Sequence, residues 1–434
     1  MTDLPTAPGL PPAHSSHGAP EQPRPKTRPT PLDGYQKRLF VLLGVATFFE
    51  GYEYVALTQL LPSLRKAYGL SESGAGILVG AIGFSALLSY GLIRRADVVG
   101  RRPMLNITVA GYTLASILCA CAQDVWQFGA AQLAARAFLL GEYAISMVYL
   151  AEEFPADRRG FAVGVMQGLN SLGAIVCAGL VPMLLKTPLG FRSVYLVGSV
   201  PLLLLIWLRR GVRETTRFTA MQREGRVSRD MFAVFRSAYR GRVFLLAAIW
   251  GLTYLCTYLS ITYWKEFAVQ ERGFDDETVS RAVMIAAVGS LPLVFFSGKL
   301  LDAVGRRRGA VVIFGIVTSS ALLAYNAHDF WWLTLGLTGA IFSSSAVLSV
   351  LNSFTLELFP TELRADGYAW SNNVFGKIGY IIGPLAVGFS AERWGYGPSL
   401  SVASLFPLLA LALILARLPE TSGRELEDTS AVPH

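Results

Sequence analysis

Histidine and cysteine are scarce in this chain, with four of each in 434 residues. None of Cys119, Cys121, Cys177 and Cys256 stands at a metal-ligand spacing, and all four fall within long apolar runs. They read as small packing residues, which argues against a disulfide framework, a redox pair or a metal centre. Charge is also in short supply, at 16% of residues against 53% hydrophobic, and the mean hydropathy is +0.44. That is too little charge to cover the surface of a water-soluble protein of this length. No Gly-x-x-x-x-Gly-Lys-Ser/Thr loop is present, which excludes that route to ATP-driven work. No grouping of histidine, cysteine or serine suggests catalysis, so neither an enzyme nor a cofactor is expected.

What the chain has instead is apolar length. Runs of about 20 apolar residues, enough to cross a bilayer, occur near 38–62, 76–94, 104–122, 127–151, 161–184 and 193–209. Six more follow near 243–264, 280–301, 310–326, 331–356, 368–390 and 398–417. The expected fold is all-α and integral to the membrane, with twelve transmembrane helices in two pseudo-symmetric six-helix bundles. The bundles are placed at 35–210 and 241–418. Between them lies a basic linker, 211–240, in which the stretch Met231 to Tyr239 reads either as a short interfacial helix or as a solvated connection. Residues 1–34 hold nine of the 22 prolines and read as a disordered tail; residues 419–434 form a second tail.

Two motifs recur at one offset of 205 residues. Asp97-Val98-Val99-Gly100-Arg101-Arg102 returns as Asp302-Ala303-Val304-Gly305-Arg306-Arg307, and Glu152 to Pro155 with Arg159 returns as Glu357 to Pro360 with Arg364. Val212-Arg213-Glu214-Thr215 is echoed at a shift of 206 by Leu418-Pro419-Glu420-Thr421. Such internal repeats belong to transporters that rock one half against the other around a central site.

The net charge of +8 does not point to nucleic acid, because its distribution follows the loops. Ten arginines and three acids lie between Arg209 and Arg242, and other basic clusters occupy alternate loops, all on one side of twelve spans. The positive-inside rule then places both termini in the cytoplasm of a cell's inner or plasma membrane. The expected partners are lipid, a small molecule and a proton, with the chain acting as a monomer.

These residues resemble the major facilitator superfamily over about 35–427. The loop motifs match its Gly-x-x-x-Asp-Arg-x-Gly-Arg-Arg/Lys signature, with Gly298 keeping the leading glycine in the second copy. The Glu-x-x-Pro-x-x-x-Arg loops and Pro419-Glu420-Thr421-Ser422-Gly423 are similar to the sugar-porter-like clan, which includes aromatic-acid/proton and organic-ion symporters. Arg136 to Gly141 resembles that clan's helix 4 signature, and Gly51-Tyr52-Glu53 its helix 1 Gly-Tyr-Asp. The sugar-porter helix 7 signature is absent from Trp250-Gly251-Leu252-Thr253-Tyr254, while Glu50-Gly51-Tyr52-Glu53 resembles the Asp-Gly-Tyr-Asp of aromatic-acid/proton symporters.

Glu50 and Glu53 stand three apart in an otherwise apolar helix, so they share a face. Ionisable groups at such depth are costly and usually meet a partner or a water-filled cavity. By resemblance, Glu53 is the proton site and Arg136 its partner; the competing reading is a static buried ion pair. Glu142 either pairs with Arg136 or lines the cavity. Gln167, Asn170, Asn372 and Asn373 either bind a polar substrate or pack helices together through buried amides. Lys377 either captures a substrate carboxylate or snorkels to the surface. Tyr254 and Tyr258, one turn apart, are cavity candidates, while Trp264 is read as part of an interfacial aromatic belt. Asp97, Gly100, Arg101, Arg102, Glu152 and Arg159, with Asp302, Gly305, Arg306, Arg307, Glu357 and Arg364, are expected to latch the halves by ion pairs and helix caps. The implied function is proton-coupled symport of a small organic, aromatic or carboxylate metabolite. The alternatives are proton-driven export of organic cations, sugar symport, or a non-transporting sensor of the same fold.

Overall fold

The structure is a computed structural model that describes residues 31–208, 212–215, 219, 232–360 and 363–421. It consists of twelve helical rods, with no strand among the described residues. The first six are α1 (Gly34–Tyr68), α2 (Glu72–Gly83, then Ser85–Val99), α3 (Arg101–Cys121), α4 (Val125–Glu153), α5 (Ala156–Leu185) and α6 (Phe191–Leu208). The second six begin with α7 (Arg240–Thr262, continued by Trp264–Gln270), α8 (Asp276–Val304), α9 (Arg306–Asn326) and α10 (Phe330–Glu357). They end with α11, a composite of Arg364–Tyr368, Ala369–Phe375, Gly376–Ile378 and Gly379–Trp394, and α12 (Tyr396–Ala403, then Phe406–Arg417). Ten of the rods are long and apolar enough to cross a membrane over their described residues. The other two, α6 and α8, include side chains outside the described set.

The predicted apolar runs are the middles of these rods, and the rods run past them because polar residues finish the ends. Asp33 accepts from the Gln36 N–H at 2.6 Å, while the Gln36 side chain accepts from the Asp33 N–H, closing a capping box at the start of α1. Ser71, Asp124 and Asp329 cap α2, α4 and α10 in the same sense. Two departures from uniform helices matter. The run predicted at 243–264 breaks at Tyr263 (φ −100°, ψ 0°), and α7 resumes as Trp264–Gln270. The run at 368–390 contains a π-helical stretch, Ala369–Phe375, followed by a 3₁₀ turn, Gly376–Ile378. Such stretches interrupt the regular ladder and often mark functional segments. Of the linker, Ala233–Arg236 forms one helical turn, and Met231 lies outside the described residues.

Without water between them, membrane helices associate through close packing rather than apolar burial. The tightest pairing within the first half is α1 against α5. A Cβ at Gly51 would collide with the Asn170 carbonyl oxygen, and one at Gly173 with that of Phe48. These two glycines let the backbones touch, which sets Glu50 beside Asn170. The halves meet along α2 against α11 and α5 against α8. A further device repeats at the ends of α2 and α8. Gly100 (φ 116°) and Gly305 (φ 94°) turn the chain into α3 and α9 through conformations that residues with side chains rarely adopt.

Gly51→Ala is expected to lower the thermal midpoint of the detergent-solubilised protein by several degrees, since overpacking typically costs about 1–3 kcal/mol. Gly91→Ala, where nothing lies within 4 Å of the added carbon, should leave the midpoint unchanged.

Candidate functional site

A cavity of about 350 Å³ opens between the halves, walled by α1 and α5 on one side and α7, α8 and α10 on the other. Its polar lining includes Tyr54, Asn170 and Ser171 from the first half and Trp264, Lys265 and Ser344 from the second. Of the predicted substrate residues, Asn170 lies on this wall. The side chain of Gln167 is outside the described residues. Tyr254, Tyr258, Asn372, Asn373, Lys377 and Glu142 do not line it.

Several of these residues are engaged elsewhere. Tyr254 OH donates to Asn372 Oδ1 at 2.8 Å, and Asn372 Nδ2 donates to Tyr368 OH at 2.9 Å. Tyr368 OH donates in turn to Asn352 Oδ1 at 3.0 Å. The chain consumes the Asn372 amide in joining α7, α10 and α11. Tyr380 stacks against Tyr254 and Tyr258, with ring centroids 4.7 and 4.3 Å apart. Lys377 sits in the 3₁₀ turn of α11, half-buried, and forms no ion pair among the described residues.

The buried acids of the first half lie beside this cavity. Glu53 is 2% exposed; its Oε1 accepts from Ser116 Oγ at 2.8 Å, and its Oε2 has no partner. Glu50 is also buried with Oε2 unpartnered, and Glu142, Asn170 and Arg136 surround it. Glu142 accepts from Ser146 Oγ at 2.7 Å. The ion pair expected between Glu53 and Arg136 is not formed. The Arg136 guanidinium instead lies over the Tyr54 ring, 4.4 Å from its centroid, and Nη2 donates to the Tyr54 carbonyl at 3.3 Å. A desolvated guanidinium gains about 2 kcal/mol or more from such a ring, so Tyr54 competes with the adjacent Glu53 for the cation. The Arg136 Nη1 remains buried without an acceptor. Sequence reasoning passed over Ser116 and Tyr54; only their proximity to Glu53, in the fold for one and in the chain for the other, reveals them.

The end that carries both termini holds the repeated motifs. Arg101 Nη2 pairs with Glu152 Oε1 at 3.4 Å, and Arg306 Nη2 pairs with Glu357 Oε1 at 3.4 Å. Glu214 accepts from the N–H groups of Arg101 and Arg102, both at 3.1 Å, and thus caps α3. Glu420 does the same for α9, from Arg306 at 2.8 Å and Arg307 at 3.0 Å. Carboxylates at helix starts meet unsatisfied donors and the positive dipole end. The observed caps are therefore the two glutamates of the chain-end echo. The side chains of Asp97, Asp302, Arg159 and Arg364 lie outside the described residues. These described contacts each stay within one half, so they brace the halves separately.

An ion pair between the halves lies in a charged cluster at the opposite, far end. Arg65 of α1 pairs with Glu266 of α7 and, at 2.8 Å, with Glu72 of α2. Gln270 donates to the same Glu266 oxygen, and Lys265 Nζ pairs with Asp276 Oδ1 at 2.6 Å. Trp264, expected in an interfacial belt, is 1% exposed and faces the cavity interior of the protein. The break at Tyr263 turns it inward. The sequence carried a signal for this cluster, five charges confined to two short far-end loops and the residues beside them, but no repeat to single it out.

The Major Facilitator Superfamily model matches residues 43–275 and 251–433. The chain belongs to that superfamily. Like other members it is a transporter and not an enzyme. The gallate transporter of Pseudomonas putida is 26% identical over 432 residues, covering 89% of this chain and 92% of that one. A probable 4-methylmuconolactone transporter of Cupriavidus pinatubonensis is 25% identical, over 91% of this chain and 92% of its own. The sialic acid transporter of Escherichia coli is 23% identical, over 88% and 95%. Among solved structures, the fold matches a D-xylose-proton symporter with a TM-score of 0.71 at 19% identity, covering 90% of this chain and 99% of that one. A bacterial homologue of the lysosomal transporter Spinster in an inward-facing conformation matches with a TM-score of 0.70 at 15% identity, over 88% and 97%. This superfamily member thus has the twelve helices and two pseudo-symmetric bundles that its repeat implies.

If Arg65 and Glu266 hold the far end shut, Glu266→Gln should admit an impermeant thiol reagent added from that side. The readout is labelling of a cysteine at Ser344→Cys in a Cys121→Ser background, expected to rise several-fold over the parent protein.

Proposed function

We propose that this chain takes up a small organic acid, aromatic or carboxylate, together with a proton, by alternating access from the far end to the end bearing the termini. The observation that carries the coupling is Glu53: fully buried, bonded to a hydroxyl, and without a cation. An ionised carboxylate left unpaired at such depth costs several kcal/mol. The neutral acid meets no such penalty, so the arrangement suits Glu53 carrying its proton. Arg136, with one buried nitrogen unpartnered, is the group able to receive the carboxylate once the proton leaves. Exchanging the Tyr54 ring for the Glu53 carboxylate then moves α1 relative to α4 and reports proton loss to the cavity, whose wall includes Tyr54. Glu50, next to Glu142, offers a second carboxyl on the same face.

Relatives named for gallate, sialic acid and niacin support an acid as substrate. The cavity adds Lys265 as a cation, aromatic rings from Tyr54 and Trp264, and side-chain hydroxyls and amides. A wall of this kind fits a planar or polar anion better than an organic cation. The basic loops place the termini in the cytoplasm by the positive-inside rule, so transport from the far end is uptake.

In proteoliposomes, Glu53→Gln is expected to abolish accumulation driven by a proton gradient while sparing exchange of internal for external substrate. Normal gradient-driven accumulation by this variant would rule out the coupling role. Ser116→Ala, which removes one hydrogen bond to the same acid, should slow accumulation without uncoupling it.

A further inference from the structure

Two buried donors sit side by side at the far end of the cavity, and the reading above does not use them jointly. Lys265 is 2% exposed and lines the cavity, with Asp276 its ion-pair partner at 2.6 Å. An ammonium carries three donors, and the Asp276 carboxylate is itself about half exposed, at 47% of its side chain. Trp264 also lines the cavity, and its indole Nε1–H is buried with no acceptor. A buried donor left unmet is costly and rare in folded proteins. Trp264 and Lys265 are the first two residues of the short helix that follows the break at Tyr263, and both line the one cavity.

Resting on the acid-uptake reading, we propose that Trp264 and Lys265 form the carboxylate anchor of the transported acid. The acid accepts hydrogen bonds from Trp264 Nε1–H and Lys265 Nζ, and Asp276 acts as a built-in competitor that holds Lys265 when no acid is bound. The geometry favours an anion because it supplies one cation and one neutral donor, the ion-pair partner Asp276 is half exposed, and the neighbouring Glu266 is taken up by Arg65. A sugar would leave the ammonium tied to Asp276, and an organic cation would be repelled by it. The anchor lies on the same short segment as Glu266, which reaches Arg65 of the other half. Lys377 is then free of the anchoring role that its place in the chain suggested.

The test is equilibrium binding to the purified full-length protein, using nicotinate, gallate and benzoate as acids and nicotinamide as the neutral counterpart of the first. The wild type is expected to bind at least one acid more tightly than nicotinamide. Trp264→Phe, which keeps the ring and removes the donor, should weaken acid binding by about tenfold, the usual cost of a hydrogen bond to a charged group, and leave nicotinamide unaffected. Lys265→Gln should weaken it at least as much, with Lys265→Arg restoring most of the loss. Asp276→Asn should tighten acid binding several-fold, a gain that misfolding cannot produce. Acid affinities unchanged in both Trp264→Phe and Lys265→Gln would overturn the anchor while leaving acid uptake standing. A wild type that binds none of the acids but binds organic cations would overturn the acid reading and the anchor with it.

Discussion

A charge removed from water must be paired, capped, held against a ring or neutralised, and the described fold is organised by that requirement. At the end bearing the termini, arginines pair with Glu152 and Glu357 while Glu214 and Glu420 cap helices. At the far end, Arg65 pairs with Glu72 and Glu266, and Lys265 pairs with Asp276. In the middle, Arg136 rests on Tyr54, and Glu53 has only a hydroxyl. Both ends thus hold ion-paired charges, whereas the buried Glu53 in the centre has a hydroxyl as its hydrogen-bond partner.

The central imbalance depends on packing that has no charge in it. Gly51 and Gly173 allow α1 and α5 to touch, and Glu50 and Glu53 are buried on this part of α1, Glu50 beside Asn170. Side chains there would push the helices apart, and water entering the gap would solvate the acids. The membrane removes the alternative of apolar collapse, so small residues determine how close the backbones come. The burial of these acids thus rests on glycine packing as much as on the glutamates themselves.

The two halves share a scaffold and divide the work. The 205-residue repeat reappears in space as twin clasps, each joining a glycine turn, a helix cap and an Arg–Glu pair. The described contacts of each clasp join elements of the same half. The acids belong to the first half, whereas Trp264 and Lys265 belong to the second, where α7 breaks at Tyr263. The cavity between the halves therefore has unlike walls.

Fold class was legible in the chain because twelve apolar runs and an exact offset are one-dimensional facts: each helix satisfies its own backbone, and repetition survives without any structure. The boundaries were readable to within a few residues from the apolar runs, and the rods extend past them to polar caps such as Asp33 and Asp124. Buried acids were also visible, since Glu50 and Glu53 interrupt an apolar run. Their partners were not. Whether Arg136 meets Glu53 or Tyr54 is decided by distances across α1 and α4, and Ser116 reaches Glu53 from 63 residues away. Likewise, the hydrogen bonds that join Asn372 to Tyr254 and Tyr368 exist only in the fold. Lys377 drew notice as a lone lysine within a span, whereas Lys265 sat unremarked at the end of another until a helix break turned it inward. The order of residues determined which groups had to leave water; only tertiary packing decided which of them would meet, because pairing energies depend on separations that sequence does not contain.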